Sequence, residues 1–227
     1  MKIVSLNLAG RKDGIEDRIT KIATFLDGER ADIICLQEVT FGQSQNLAAR
    51  INNLMRNQYR YIAADLAEQF TNKHGEPKTD GLAILANEEI TKHETLTLKK
   101  VPTDERGRPD FHKRIIQLVE LQNGLKIANL HLASNQNSYM QLREALREVP
   151  PGYLLIGDFN MHRPTMLEEK PCWGSSYQCS VEFTDYVSFP SEDATFDYLL
   201  LPKAFTFAKV TAAPGLSDHC AMIYEFG

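Results

Sequence analysis

Six short segments place polar, ionisable residues where apolar runs end. Ser5-Leu6-Asn7-Leu8 closes the first run, and Leu36-Gln37-Glu38-Val39 follows Ile33-Ile34-Cys35. Asn129-Leu130-His131-Leu132, Gly157-Asp158-Phe159-Asn160, Phe196-Asp197-Tyr198 and Ser217-Asp218-His219 come later, in that order. These groups suit phosphoester hydrolysis, which needs an activated water and stabilised charge on the phosphoryl and leaving oxygens. Glu38 offers the hard oxygens that Mg²⁺ prefers. Asp158 and Asn160 stand two apart at a strand end, a spacing that points both to one face. Each residue alone has a plainer reading. A strand-end Asp or Asn is usually a turn residue, and His131 in an apolar run reads as a packed side chain. The ordered set, each member at one end of an apolar run, carries the functional reading.

The elements that must hold these residues are mostly short strands. The pattern predicts Lys2–Asn7, Ile33–Gln37, Tyr59–Ala64, Leu82–Ala86, Ile90–Leu98, Ile115–Leu121, Leu125–Leu130, Tyr153–Asp158, Asp197–Leu201, Phe207–Ala213 and His219–Glu225. Helices are predicted over Ile15–Asp27, Gln45–Asn57 and Ser138–Val149. In the first, Ile15, Ile19, Ile22, Ala23 and Leu26 recur on one side. Phe70–Thr79 and Pro102–His112 are polar and irregular and read as loops. Strand pairs mixed with helices suggest two packed sheets with helices outside. No linker or repeat divides residues 1–227, so a single domain is expected.

Charged residues make up 24% and hydrophobic ones 43% of the chain, which argues for a folded domain rather than disorder. A net charge of −5 runs against a general nucleic-acid binder. The densest basic stretch holds Lys99, Lys100, Arg106, Arg108, Lys113 and Arg114; it reads as a solvated loop or as a phosphate-touching rim. No apolar run is long enough to span a membrane and no secretory leader is evident, so a cytoplasmic protein without membrane insertion, and a monomer, is expected. Cys35 and Cys220 look like core residues; Cys172 and Cys179 flank a short loop, and a bridge there is the lesser reading. His74, His93, His112 and His162 show no partner spacing; His162 follows GDFN closely, so reach into the pocket stands as the lesser reading beside a surface one, and Trp173 reads as packing ahead of stacking on a base.

The segments LQEV, NLHL, GDFN, FDYLL and SDH, in this order across nearly the whole chain, resemble the endonuclease/exonuclease/phosphatase superfamily. The resemblance implies an α+β fold: a DNase I-like, four-layer α/β/β/α sandwich of two mostly antiparallel sheets with outer helices. It implies a Mg²⁺-dependent hydrolase of phosphate esters, with Mn²⁺ as a substitute. Glu38 is then the principal metal ligand, with Asn7, Asp218 and Gln37 nearby. Asp158 orients or deprotonates the attacking water, and Asn160 holds the phosphate. Asp197 and His219 form an Asp–His pair. A carboxylate accepting the ring N–H favours the imidazolium, and the pair either binds a phosphoryl oxygen or acts as acid–base. His131 is a second site histidine, Asp80 is expected to orient it, and Arg114 is a phosphate contact or a plain strand-end charge.

Departures from the pattern bear on substrate. Ala9 stands where abasic-site endonucleases usually carry an acidic residue, and His131 where they carry tyrosine. Ser188-Phe189-Pro190-Ser191 before Phe196-Asp197-Tyr198 resembles small bacterial members of the superfamily. A phosphodiesterase or nuclease stands slightly ahead of a sphingomyelinase-like or inositol-phosphatase-like phosphoesterase. A non-catalytic binding module on the same fold is disfavoured, because the set of site residues is complete.

Overall fold

A computed structural model describes every residue except 13, 72–74, 103–111 and 135. Its elements in chain order are β1 (Lys2–Asn7), α1 (Ile15–Glu29), β2 (Ile33–Gln37), α2 (Leu47–Leu54), β3 (Tyr61–Thr71), β4 (Pro77–Ala86), β5 (Ile90–Thr97), β6 (Ile115–Leu121), β7 (Lys126–His131), α3 (Ser138–Glu148), β8 (Leu154–Asp158), α4 (Arg163–Glu168), α5 (Lys170–Trp173), β9 (Tyr177–Cys179), α6 (Ser180–Phe183), β10 (Asp197–Pro202), β11 (Phe207–Ala213) and β12 (Ala221–Phe226). Two six-stranded sheets form, in the orders β11-β12-β1-β2-β4-β3 and β5-β6-β7-β8-β10-β9. Each carries one parallel pairing, β1 with β2 and β7 with β8; the other pairings are antiparallel.

Three apolar clusters lie between four layers. Val4, Leu6, Ile34 and Leu36 pack with Ile19, Ile22, Leu26 and Ile51 of α1 and α2. Ile3, Ile33, Cys35 and Ile84 of one sheet meet Ile127, Leu154, Ile156 and Leu199 of the other. Leu118, Ala128, Leu130 and Leu155 pack with Leu142 and Ala145 of α3 and with Trp173. The expected sandwich is therefore present, and strand parity explains it: successive side chains face opposite sides of a sheet.

The same parity explains where the polar residues go. Ile3, Ser5 and Asn7 share the inter-sheet face of β1, as do Ile33, Cys35 and Gln37 on β2. Ile127, Asn129 and His131 do so on β7, and Leu154, Ile156 and Asp158 on β8. At one end of the sandwich each row turns from apolar to polar. Gln37 Nε2 donates to Asn129 Oδ1 at 2.8 Å, and Asn129 Nδ2 donates to the carbonyls of Leu36 and Ala83 at 3.1 and 3.2 Å. Those bonds satisfy groups whose burial would otherwise destabilise the fold.

Some boundaries differ from the sequence pattern. Residues 70–71 and 77–79 of this stretch lie in β3 and β4, which pair as a hairpin with Thr71 opposite Pro77; residues 72–74 lie outside the described residues. Polar composition misled here because β3 is an edge strand with its sides largely exposed. Most of Pro102–His112 lies outside the described residues, as do Arg106, Arg108 and His74. The second helix stops at Leu54 because Met55 is extended. Helix α3 stops before Val149, whose extended backbone is what a following proline imposes. Strand β9 and helices α4 to α6 are too short to leave a periodic signal. All four cysteines are free, with Cys35, Cys179 and Cys220 buried. Trp173 is buried, its indole donating to the Met166 carbonyl at 3.2 Å. Among the described residues no helix is long and apolar enough to cross a membrane.

Candidate active site

The polar mouth of the inter-sheet core opens into a cleft of about 480 Å³. Glu38, Arg114, His131, Asp158, Asn160, Asp218 and His219 line it, together with Arg11 and Lys12. Strand register assembles the centre: Asp158 of β8 lies opposite His131 on one side and Asp197 on the other. Gly157 makes this approach possible. Its φ is +139°, and a Cβ there would sit 2.0 Å from the Leu130 carbonyl oxygen, so only glycine fits.

Asp158 is 1% exposed and thoroughly bonded. Its Oδ2 accepts from Asn7 Nδ2 at 2.9 Å and its Oδ1 from the Asn160 backbone N–H at 2.8 Å. His131 Nε2 and His219 Nε2 each lie 3.6 Å from Oδ2. Burial and the neighbouring Asp197 carboxylate push the Asp158 pKa upward. His219 Nδ1 donates to Asp197 Oδ2 at 2.8 Å. Burial alone would lower the His219 pKa, but the charge and hydrogen bond of Asp197, with help from Asp158, raise it to about 10. His219 is therefore an imidazolium at neutral pH. His131 is the opposite case: burial, with the charges of Arg114, Arg11 and His219, holds it well below its usual range and neutral.

Glu38 reaches the cleft by breaking parity. Alternation would turn it outward with Leu36, but its φ of +52° redirects the chain. A non-glycine residue in that region is strained by about 1–3 kcal/mol, a cost found chiefly at functional sites. Glu38 Oε1 lies 3.4 Å from Asn7 Nδ2, and Oε2 accepts from Arg11 Nε at 3.2 Å. Asn160 also has positive φ, 50°, and donates its side-chain N–H to the Leu132 carbonyl at 3.0 Å.

The expected metal set divides by what its oxygens do. Glu38 Oε1 faces the cleft's polar centre beside Asn7. The Asn7 amide oxygen accepts from the Ala9 backbone N–H at 3.0 Å while its nitrogen serves the two carboxylates. Asp218 accepts from Ser217 at 2.8 Å and from Lys12. Among the described residues Asp158, Asp197 and His219 also bring one ligand atom each within 4.8 Å of one another. A protonated His219 cannot ligate, so that trio reads as a hydrogen-bonded catalytic group rather than a metal cage. Glu38 with neighbouring amide and carboxylate oxygens is the donor set a hard divalent cation takes.

Asp80 Oδ2 lies 3.4 Å from Arg11 Nη1, and Asp80 lines a small pocket together with His131, its Oδ1 without a hydrogen-bond partner among the described residues. Arg114 is buried and lines the cleft, whereas Lys99, Lys100 and Lys113 do not line it. His93 and His112 have partners that spacing did not reveal, Asp65 at 2.6 Å and Glu68. Sequence reading missed Arg11, Lys12 and an aromatic wall. Phe189 stands edge-on to His219 at 4.8 Å, Phe196 lies 5.5 Å from Phe189, and His162 meets Phe196 at 4.8 Å. The advance signals were the closeness of His162 to GDFN and of Phe189 to FDY, which holds Phe196; Arg11 and Lys12 gave none.

Fold and site together define a phosphoesterase hydrolase of the DNase I-like class. The family model for the endonuclease/exonuclease/phosphatase family matches residues 4–219, and the chain belongs to that family, whose members are generally dependent on a divalent metal. None of the curated proteins matches the chain. Among solved structures, an endonuclease/exonuclease/phosphatase family protein from Leptotrichia buccalis superposes with a TM-score of 0.76 at 13% identity, over 100% of this chain and 99% of that one. A mannosyl-6-phosphatase from Bacteroides thetaiotaomicron gives 0.67 at 15% identity, over 100% and 99%. D. rerio TDP2 complexed with a single-strand DNA product gives 0.67 at 17% identity, over 100% and 98%.

Proposed function

We propose that this protein is a Mg²⁺-dependent phosphodiesterase of the nuclease type, cutting a phosphate ester held between cations and aromatic rings. The observation that carries this reading is the position of Asp158. It is buried, bonded by Asn7 and Asn160, and 3.6 Å from both His131 and His219 in a cleft lined by Arg11, Lys12 and Arg114. A carboxylate with a raised pKa in that setting orients and deprotonates the attacking water. The His219 imidazolium, fixed by Asp197, binds a phosphoryl oxygen and offsets its growing charge. Asn160 and Arg114 hold the phosphate. Neutral His131 orients the water or a phosphoryl oxygen by hydrogen bonding.

Glu38 would hold the metal, with Asn7 and Asp218 as the further oxygen donors nearest in sequence pattern to that role; their oxygens now accept from Ala9 and from Lys12 and Ser217. A bound Mg²⁺ supplies Lewis-acid charge stabilisation at the phosphate. Phe189, Phe196 and His162 offer ring faces and edges against which a base stacks. A related protein complexed with single-strand DNA product is consistent with such a substrate.

A second reading, a small-molecule phosphomonoesterase, draws on a different observation. The cleft's volume is that of a small-ligand site, and Lys99, Lys100 and Lys113 stand outside its lining. A mannosyl-6-phosphatase shares the fold. The test is Mg²⁺-dependent hydrolysis of single- and double-stranded DNA, RNA, sugar phosphates, inositol phosphates, sphingomyelin and bis-p-nitrophenyl phosphate, with EDTA and His219→Ala as controls. Turnover of polynucleotide and the diester supports the first reading. Turnover of sugar or inositol phosphates alone replaces it with the second.

A further inference from the structure

Arg11 puts a resident positive charge in the pocket where the proposed function needs a divalent cation. Its Nε donates to Glu38 Oε2 at 3.2 Å, and its Nη1 lies 3.4 Å from Asp80 Oδ2. The guanidinium carbon stands 5.8 Å from the centre of the Phe70 ring, within cation–π reach. This is a sheltered arrangement: the side chains of Arg11, Glu38 and Asp80 are 21%, 13% and 5% exposed. Charges so placed interact more strongly than a surface pair does. Burial drives the Asp80 pKa up, Arg11 is the chief influence opposing it, and the facing Glu38 adds to the rise. Asp80 Oδ1 is buried with no hydrogen-bond partner among the described residues, so Asp80 relies on nearby positive charge, that of Arg11 first and of Arg114 second.

The guanidinium takes one oxygen of Glu38 and leaves the other beside Asn7. A divalent cation that binds Glu38 therefore meets a fixed like charge on the same carboxylate. Without that cation, the guanidinium keeps two sheltered carboxylates from facing each other unneutralised.

We propose that Arg11 is the built-in counter-ion of the metal pocket: it holds Glu38 and Asp80 together in the metal-free protein and loosens the pocket's grip on a divalent cation. The inference rests on the reading of Glu38 as the metal's carboxylate. It makes Arg11 a positioning residue whose charge trades metal affinity for stability of the empty pocket. Exchange of the metal is then easier than the two carboxylates without their guanidinium would allow.

The experiment measures Mn²⁺ binding by electron paramagnetic resonance, and thermal unfolding with and without Mn²⁺. Wild type, Arg11→Met, Arg11→Lys and Glu38→Gln are compared. Methionine keeps an apolar stem against Phe70 and removes the charge. Arg11→Met is expected to bind Mn²⁺ about tenfold more tightly. Its metal-free unfolding temperature falls, and its rise on adding Mn²⁺ exceeds that of wild type. Arg11→Lys, which keeps the charge, stays close to wild type in affinity. Should Arg11→Met fail to fold without metal, chelator competition from the Mn²⁺-loaded protein yields the same comparison. Affinity equal to or weaker than wild type in Arg11→Met overturns the counter-ion role. Glu38→Gln separates the two failures. If it loses Mn²⁺ while Arg11→Met is unchanged, only the role of Arg11 falls. If it binds Mn²⁺ like wild type, the reading of Glu38 falls, and the inference with it.

Discussion

Asn7 ends a strand of one sheet and Asp158 a strand of the other, and a 2.9 Å hydrogen bond from Asn7 Nδ2 to Asp158 Oδ2 spans the gap between them. The bond between His219 and Asp197 makes a second crossing, since His219 leads into β12 and Asp197 opens β10. Each pair therefore has one partner on each sheet. The spacing of the reacting groups is set by how the sheets pack, not by either sheet alone.

Removing the first crossing changes a proton equilibrium. The Asn7 hydrogen bond lowers the Asp158 pKa against the burial and the Asp197 charge that raise it. Asn7→Ala therefore raises that pKa further. With Asp158 as base, the acid limb of the pH–kcat/KM profile moves to higher pH, and kcat falls about 10- to 100-fold at pH 7. A limb that stays in place removes Asp158 from the role of base.

The second crossing governs His219. Its pKa is raised from 6.5 to about 10 in the folded protein. Its contribution to stability is therefore complete below about pH 6.5 and is lost as pH climbs through about 10. Asp197→Asn removes the main source of this effect. The stability gap between wild type and variant is expected to be widest below pH 6.5 and to close towards pH 10 in denaturant titrations. Activity should drop about 10²- to 10⁴-fold. A gap that grows with pH would contradict the assignment of charge to His219.

Metal loading offers a readout that needs no substrate. A ligand at about a hundred times its Kd stabilises the folded state by about 2.7 kcal/mol. Wild type with Mg²⁺ should show a corresponding rise in unfolding temperature, reversed by EDTA. In Glu38→Gln that rise should vanish, measured against the variant's own metal-free unfolding temperature. Retention of the full rise would place the cation elsewhere.

Gly157 tests the assembly of the site through the backbone. With φ at +139° and the Leu130 carbonyl 2.0 Å from any Cβ, Gly157→Ala must push β7 and β8 apart. A loss of about 4 kcal/mol or more is expected in chemical denaturation. A stable variant of normal activity would mean that the strands tolerate a wider spacing than the His131–Asp158 pair suggests.

Much of this architecture was written locally. Period-two alternation marked most strands, one-sided spacing marked α1, and polar residues at strand ends marked the mouth of the inter-sheet core. Asn7, His131, Asp158 and Asp197 were legible because parity alone places each on the inner face beside its apolar neighbours. Tertiary structure decided what parity does not carry. Glu38 reaches the cleft only because a left-handed backbone residue breaks the alternation. Asp80 meets Arg11 because the segment after β1 comes to lie against β4. Phe189, Phe196 and His162 form one wall because two loops far apart along the chain converge beside His219. Side-chain direction within a strand is a property of neighbouring peptides. Encounters between strand ends and loops depend on how the whole sandwich packs.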